Sequence, residues 1–279
     1  MQHSIPWLTA IVLAVVQGAT EFIPVSSSAH LVIGAKVLGT EQLPLAYAVT
    51  VHVGTLVAVV VHYRRDLWQL LVALLRPGVE VGPADEEKCQ ARRLFALLLV
   101  ATVPAAVAGL LAADYVDRLF SSPLPTGLFL LVTALFLWLA DRQHGDRTPD
   151  RLTWIDSVLI GIGQMIAILP GVSRSGTTVL AGLWRGLSPA WAPRFSFLLS
   201  VPIIAGAGLV EAGDLATSPL SPGEALKYGV AGLLAAGVGY ASIYLVVDTV
   251  RRGSLFKRFG IYCLALAVLT VAASLLGYW

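Results

Sequence analysis

The sequence predicts an all-α polytopic membrane protein with about six transmembrane helices and two re-entrant helix-loop-helix hairpins, arranged as an inverted-topology repeat. Three observations carry that expectation. Of 279 residues, 57% are hydrophobic and 13% charged, the latter about half the charged share of an ordinary soluble domain. Six apolar stretches reach the roughly 20 residues that a spanning helix needs. Two further apolar regions are broken in the middle by polar sequences that match each other at a fixed offset.

The mean hydropathy of +0.78 extends over the whole length, and no polar block exceeds about thirty residues, so 1–279 reads as a single integral membrane domain. Cys89 and Cys263 are the only cysteines, which excludes a disulfide framework or a cysteine-based metal site. A formal charge of +2 gives no footing for nucleic acid. Residues Met1 to Pro6 contain no Lys or Arg; lacking the basic start of a cleaved signal peptide, they are expected to belong to the mature chain.

In chain order, 7–38 is the first interrupted region, split by Glu21-Phe-Ile-Pro-Val-Ser-Ser-Ser-Ala-His30. Crossings follow at about 43–63, 94–113 and 122–140. The second interrupted region, 155–187, is split by Leu169-Pro-Gly-Val-Ser-Arg-Ser-Gly-Thr-Thr178, and crossings at about 193–213, 225–247 and 259–279 complete the chain. Each half of an interrupted region is too short to span, and polar backbone at membrane depth must line a cavity or pack inside protein. Hence the hairpins.

At an offset of 147, Gln17 falls on Gln164, Val25 on Val172, Ser26 on Ser173, Ser28 on Ser175 and Ala29 on Gly176. This internal repeat divides the chain into 1–147 and 148–279. One hairpin plus three crossings per unit makes the second copy enter from the opposite face. Charge agrees: 64–93 has six Lys or Arg, 141–154 three and 248–258 four, against one in 114–121 and none in 214–224. The positive-inside rule puts the basic loops in the cytoplasm and both termini outside, with the hairpin tips meeting near the midplane. The mixed-charge stretch from Arg76 to Arg93 reads as a solvated loop.

At the first tip, Gln17 and Glu21 lie four apart on one helix face. Ser26, Ser27, Ser28 and His30 open the next half-helix, where side-chain oxygens, unpaired backbone N–H groups and the helix dipole suit an anion. At the second, Ser173, Arg174, Ser175, Gly176, Thr177 and Thr178 do the same, and Arg174 adds a planar fork for two phosphate oxygens. A single such hydroxyl is ordinarily an N-cap. Three and four of them, beside the ionisable Glu21, His30 and Arg174 inside membrane segments, point to a functional site instead. A structural alternative is a buried ion-paired network locking the repeats. His52 and His62 read as packing or interfacial residues, His52 the more interesting for its depth; Asp156 reads as a cap; and Trp7, Trp154, Trp184, Trp191 and Trp279 read as interfacial anchors.

The segments Gln17-Gly-Ala-Thr-Glu-Phe-Ile-Pro-Val-Ser-Ser-Ser-Ala-His30 and Pro170-Gly-Val-Ser-Arg-Ser-Gly-Thr177, with His52-Val-Gly-Thr-Leu56 and Phe195-Ser-Phe-Leu-Leu-Ser-Val-Pro202, resemble the signature regions of the undecaprenyl-diphosphatase family, also known as bacitracin-resistance proteins. The segment order fits over essentially the whole chain. The resemblance implies a hydrolase of the bacterial cytoplasmic membrane that removes one phosphate from undecaprenyl diphosphate, recycling the lipid carrier of cell-wall peptidoglycan synthesis, with a divalent cation required. It implies site roles for Gln17, Glu21, Ser27, His30, Ser173, Arg174 and Thr178. Gln17 stands where many relatives have Glu, and Ala29 where Gly is more usual.

Diphosphate hydrolysis needs in-line attack on the terminal phosphorus and stabilisation of its oxygens. Arg174, with Ser26, Ser173, Ser175, Thr177 and Thr178 as diphosphate-binding residues, would supply the second. Mg2+, or Ca2+ in its place, would sit on Glu21 and the Gln17 carbonyl. The leading arrangement for attack is Ser27 as nucleophile with His30 as general base; direct attack by His30 and water activated by Glu21 are the open alternatives. Expected partners are a polyprenyl diphosphate and membrane lipid, with a homodimer as one allowed assembly. The alternative function is an inverted-repeat transporter or lipid flippase using the same midplane anion site. The acid-phosphatase superfamily is disfavoured, because its catalytic His lies downstream of its Ser-Arg element and no His follows Ser173.

Overall fold

A computed structural model describes residues 5–40, 43–75, 83–120, 122–141, 145–217, 219–251 and 255–279. The first two helices, α1 (Trp7–Thr20) and α2 (Ser27–Val37), are short and joined by the tip that carries Glu21. Then come α3 (Leu45–His62), α4 (Arg64–Leu75), α5 (Pro83–Phe120) and α6 (Pro123–Ala140). A second short pair, α7 (Trp154–Ile166) and α8 (Arg174–Trp184), precedes α9 (Trp191–Thr217), α10 (Pro222–Arg251) and α11 (Leu255–Leu275). Extended structure among the described residues is confined to an isolated bridge between Arg147 and Leu187.

Among the described residues six helices are long and apolar enough to cross a membrane: α3, α5, α6, α9, α10 and α11. They coincide with the six expected crossings. The short helices have 14, 11, 13 and 11 residues, below crossing length, which is compatible with re-entrant hairpins. One expectation needs correcting. Residues 83–93 are not loop but the opening turns of α5, 38 residues long; polar residues there end the apolar run without ending the helix, since Glu, Lys, Gln and Arg are good helix formers. Residues 76–82, 142–144 and 252–254, which are parts of the three expected basic loops, lie outside the described residues.

Packing of the two short pairs is cross-wise. α1 lies along α10, and α7 along α5. Each approach is close because a glycine faces the partner backbone: a Cβ on Gly18 would come within 2.7 Å of the Ala235 carbonyl, and one on Gly161 within 2.5 Å of the Ala101 carbonyl. Small residues at helix contacts are how membrane bundles gain van der Waals packing without a hydrophobic driving force. α6 runs against α11 and α3 against α10, closing the bundle around the tips. Phe22, next to Glu21, is buried and sets its ring edge-on to Phe197 of α9 at 5.3 Å, so the first tip is seated in the main core. Trp7, Trp154 and Trp184 are exposed at helix ends, whereas Trp191 packs against the main core with the Arg194 guanidinium 4.3 Å from its ring.

Asp156 does more than cap. It forms a capping box with Thr153, and its buried carboxylate also meets Arg185 just after α8 and Arg147 before α7, tying both ends of the second short pair together.

Candidate active site

The turn between α1 and α2 is built by two local devices. Glu21 closes α1 with its amide on the Gln17 carbonyl at 2.9 Å, and Ser26 opens α2 by accepting the Ala29 amide at 3.3 Å. Ser26 takes φ 67° and ψ 90°, a conformation disfavoured for a residue with a Cβ. At the second tip the N-cap Ser173 accepts the Gly176 amide at 3.1 Å from a relaxed backbone, φ −74° and ψ 117°.

Glu21 is the hub. Its Oε1 receives Arg174 Nη2 at 2.6 Å, and its Oε2 receives the Ser27 hydroxyl at 2.6 Å and the Gln17 amide nitrogen at 2.7 Å. His52 Nε2 stands 3.6 Å from the same Oε2, while its Nδ1–H donates to the Ala48 carbonyl at 2.7 Å. The two tips therefore do meet, through an ion pair between residues 153 positions apart. A carboxylate so buried is tolerable because both of its oxygens accept from a cation or a donor.

All of these groups except Gln17 floor a cavity of about 480 Å3. Glu21, Ser26, Ser27, Ser28, His52 and Arg174 supply its polar end, and Leu31, Val32, Ala35, Val49, Ile203, Ile204 and Ala207 its apolar walls. Lys36, Leu43, Leu45 and Phe120 line it towards the bundle end where α3 begins and α5 finishes. Arg174 spends one donor on Glu21 and another, at 3.5 Å, on the Ser196 carbonyl; a guanidinium has five N–H groups, so donors remain for an anion.

Several sequence expectations are placed differently. His30 does not face Ser27 and does not line the cavity: its Nδ1 meets the Ser26 carbonyl at 2.8 Å and its Nε2 the Tyr262 hydroxyl of α11 at 2.7 Å. Ser27 turns to Glu21 instead. Ser173, Ser175, Thr177 and Thr178 do not line the cavity either, being drawn into the needs of the helix start. Ser173 caps, Ser175 lies 3.3 Å from Ser173, Thr177 donates to the Ser173 carbonyl at 2.9 Å, and Thr178 meets the Arg174 carbonyl at 2.7 Å and Ser196 Oγ at 2.6 Å. Gln17 presents an N–H to Glu21 and lies behind the cavity wall, where it supports the carboxylate while its own buried Oε1 has no hydrogen-bond partner among the described residues. Among the described residues no group of three or more His, Cys, Asp or Glu is placed to hold a metal unaided. What the donors fit is the modest demand of Mg2+, one carboxylate with the remaining positions left to phosphate oxygens and water.

Sequence reasoning missed Thr133 and Tyr262 and underweighted His52. Thr133 of α6 clamps the second tip, donating to the Gly171 carbonyl at 2.7 Å and accepting the Ser173 amide at 2.8 Å. His52 had one legible signal, a titratable side chain deep in an apolar span.

A carboxylate, a guanidinium and a hydroxyl converging at the end of an apolar-walled cavity, inside a bundle of six crossing helices, define an integral membrane protein built to receive an amphiphile by its anionic head. The comparisons narrow the class. Residues 10–269 match the profile of bacitracin resistance protein BacA, and the chain belongs to that family. It is 40% identical to an undecaprenyl-diphosphatase of Hahella chejuensis over 92% of this chain and 94% of the relative. For those of Rubrobacter xylanophilus and Moorella thermoacetica the figures are 41% over 96% and 98%, and 42% over 95% and 97%.

Proposed function

We propose that the protein hydrolyses undecaprenyl diphosphate to undecaprenyl phosphate and inorganic phosphate within the bacterial cytoplasmic membrane, returning the lipid carrier to cell-wall synthesis. One observation carries the chemistry: Ser27 donates its hydroxyl proton to Glu21 Oε2 at 2.6 Å while Arg174 holds Oε1. The relatives named above all bear the diphosphatase name, and the transporter alternative has no support among them.

Ser27 Oγ attacks the terminal phosphorus, and its proton passes to Glu21 Oε2. The bond from that phosphorus to the bridging oxygen breaks, the bridging oxygen takes that proton from Glu21, and undecaprenyl phosphate leaves with the carboxylate ionised again. Water then attacks the phosphoserine, giving a proton to the freed carboxylate, and that proton passes to Ser27 Oγ as its bond to phosphorus breaks and phosphate departs. Glu21 replaces His30 as the base because it is the acceptor the hydroxyl reaches. Arg174 orients the diphosphate and offsets charge on its oxygens. Glu21 is also the residue that would hold a divalent cation, Mg2+ or Ca2+, which when bound would supply further positive charge to the phosphoryl oxygens. The apolar walls take the first isoprene units, and the tail, far larger than the cavity, stays in the bilayer.

The same reading takes 1–147 and 148–279 as inverted copies, supported by the matched tips and by the exchange of packing partners between α1 and α7. It places the cavity mouth and both termini outside the cell, because the basic loops lie at the opposite end of the helices. One chain supplies all of the cavity's residues, so a homodimer would add none. The test is phosphate release from undecaprenyl diphosphate by purified protein in lipid, with and without Mg2+, with a Ser27→Ala control. Turnover by wild type and its loss in the control are expected; equal release by both removes Ser27 as nucleophile.

A further inference from the structure

We infer that His30 is a positioning residue, locked by Tyr262, which holds the strained Ser26 corner from which Ser27 is presented. The inference rests on the reading of Ser27 as nucleophile and deepens it.

Ser26 is the one non-glycine residue with positive φ among the described residues. It immediately precedes Ser27, and its conformation sets the direction in which the first residue of α2 leaves the tip. Left to itself, the backbone would relax towards the extended region where N-cap residues ordinarily lie, and Ser27 Oγ would swing off Glu21. Something must hold the corner. The Ser26 carbonyl is gripped twice, by the His30 amide at 3.3 Å and by His30 Nδ1 at 2.8 Å.

The chemistry of that contact fixes the tautomer. A carbonyl only accepts, so Nδ1 carries the proton, and the lone pair of the neutral ring lies on Nε2. That lone pair is already used, because the Tyr262 hydroxyl donates to it at 2.7 Å. The two rings lie nearly parallel, 11° apart, with centroids 5.7 Å apart. Both edges of the imidazole are thus committed, and the ring is absent from the cavity wall that Glu21, Ser27 and His52 share.

The second tip gives an internal control. The offset of 147 sets Thr177 opposite His30, and the Thr177 hydroxyl donates to the Ser173 carbonyl at 2.9 Å. The position does the same work in both tips: a side-chain donor on the carbonyl of the N-cap serine four residues earlier. At the relaxed Ser173 a hydroxyl is enough. At the strained Ser26 the donor is a longer ring anchored by a second helix.

Asparagine separates holding from proton abstraction, since its amide nitrogen stands as far along the side chain as His Nδ1 and donates, yet takes no proton. Turnover of undecaprenyl diphosphate by purified wild type, His30→Ala, His30→Asn and Tyr262→Phe should be measured as kcat and KM across pH. Freeing the corner in His30→Ala should lower kcat by about 10- to 100-fold. His30→Asn should recover most of that loss and keep the wild-type acid limb, and Tyr262→Phe should lower kcat about threefold to tenfold with KM little changed. An asparagine variant as inactive as alanine, or one that has lost the acid limb, makes His30 the base and overturns the inference. Should the alanine variant not fold, His30→Asn against wild type decides alone. Activity in Ser27→Ala is a separate result, which defeats the nucleophile reading itself.

Discussion

The two hairpin tips share a sequence pattern and divide the work. By the repeat offset Ser27 and Arg174 are equivalent positions, and so are Ser26 and Ser173. In the first tip the N-cap is strained and the next residue turns a hydroxyl to the carboxylate; in the second the N-cap is relaxed and the next residue extends a guanidinium to the same carboxylate. Hydroxyls of the second tip are consumed in capping and in bonds to Ser196. The difference teaches that a repeated serine-rich tip need not do the same thing twice: in the proposed function one copy carries the reacting groups, and the other delivers a single cation on a scaffold.

The largest test of that division is Glu21→Gln. It removes the proton acceptor of Ser27 and leaves Arg174 facing a neutral amide, so kcat should fall by at least about 1,000-fold, at the upper range for loss of a general base with a charged partner. Phosphate release over a Mg2+ titration measures it. Near-normal rates at saturating Mg2+ would take the hub away from the first tip.

Arg174→Lys comes next. Lysine keeps the charge but loses the fork that serves Glu21 and the diphosphate together, and a loss of about 30- to 1,000-fold is expected. Ser27→Ala should be as damaging, and the double variant scarcely worse than the poorer single one, because groups acting on one reacting centre are not additive. Fully multiplicative losses in kcat/KM would mean that the tips act apart.

Much of this was legible beforehand. The six crossings follow from length and hydropathy alone, and the tips from polar sequence where a helix should have continued. Glu21, Ser27 and Arg174 stood out because ionisable and clustered polar groups are rare in such segments. What pattern could not give was side-chain direction. Ser27 and His30 are i, i+3 neighbours, yet Ser27 at the first turn bends back to Glu21 while His30 turns out to α11. Tyr262 and Thr133 act from helices far away in sequence, and no local period reports such contacts. The opening turns of α5 were hidden for another reason: hydropathy detects membrane, not helix.

The glutamines Gln17 and Gln164 form a matched pair on which the comparison can be sharpened. Both are buried, yet Gln17 donates to Glu21 at 2.7 Å, whereas Gln164 reaches only the Ala101 carbonyl at 3.4 Å. Gln17→Met removes a hydrogen bond to a charged group and should lower kcat about tenfold. Gln164→Met removes a long, neutral contact and should change it by less than about twofold. Equal losses would show that the second tip supports the chemistry as directly as the first.

The smallest effect on turnover is expected at the far end of the second hairpin. Asp156 is buried, and it holds Arg185 and Arg147 while capping α7 through Thr153. Asp156→Asn keeps the volume and one acceptor but strips the charge from under two arginines. Their side chains are 40% and 29% exposed, so both can be resolvated, and the destabilisation should fall near the lower end of the range for a broken buried pair, about 3 kcal/mol. Arg174 lies at the opposite end of α8, eleven residues away from Arg185, or about 16 Å along the axis. Thr133 independently pins the tip there through the Gly171 carbonyl and the Ser173 amide. A clamp lost at one end should therefore loosen the hairpin without moving the guanidinium. Thermal unfolding in detergent should show a clear drop in Tm, while kcat per folded molecule changes less than about threefold. A loss of turnover approaching that of Arg174→Lys, at a temperature where the variant remains folded, would mean that the second hairpin transmits strain to the site and is more than a scaffold for one cation.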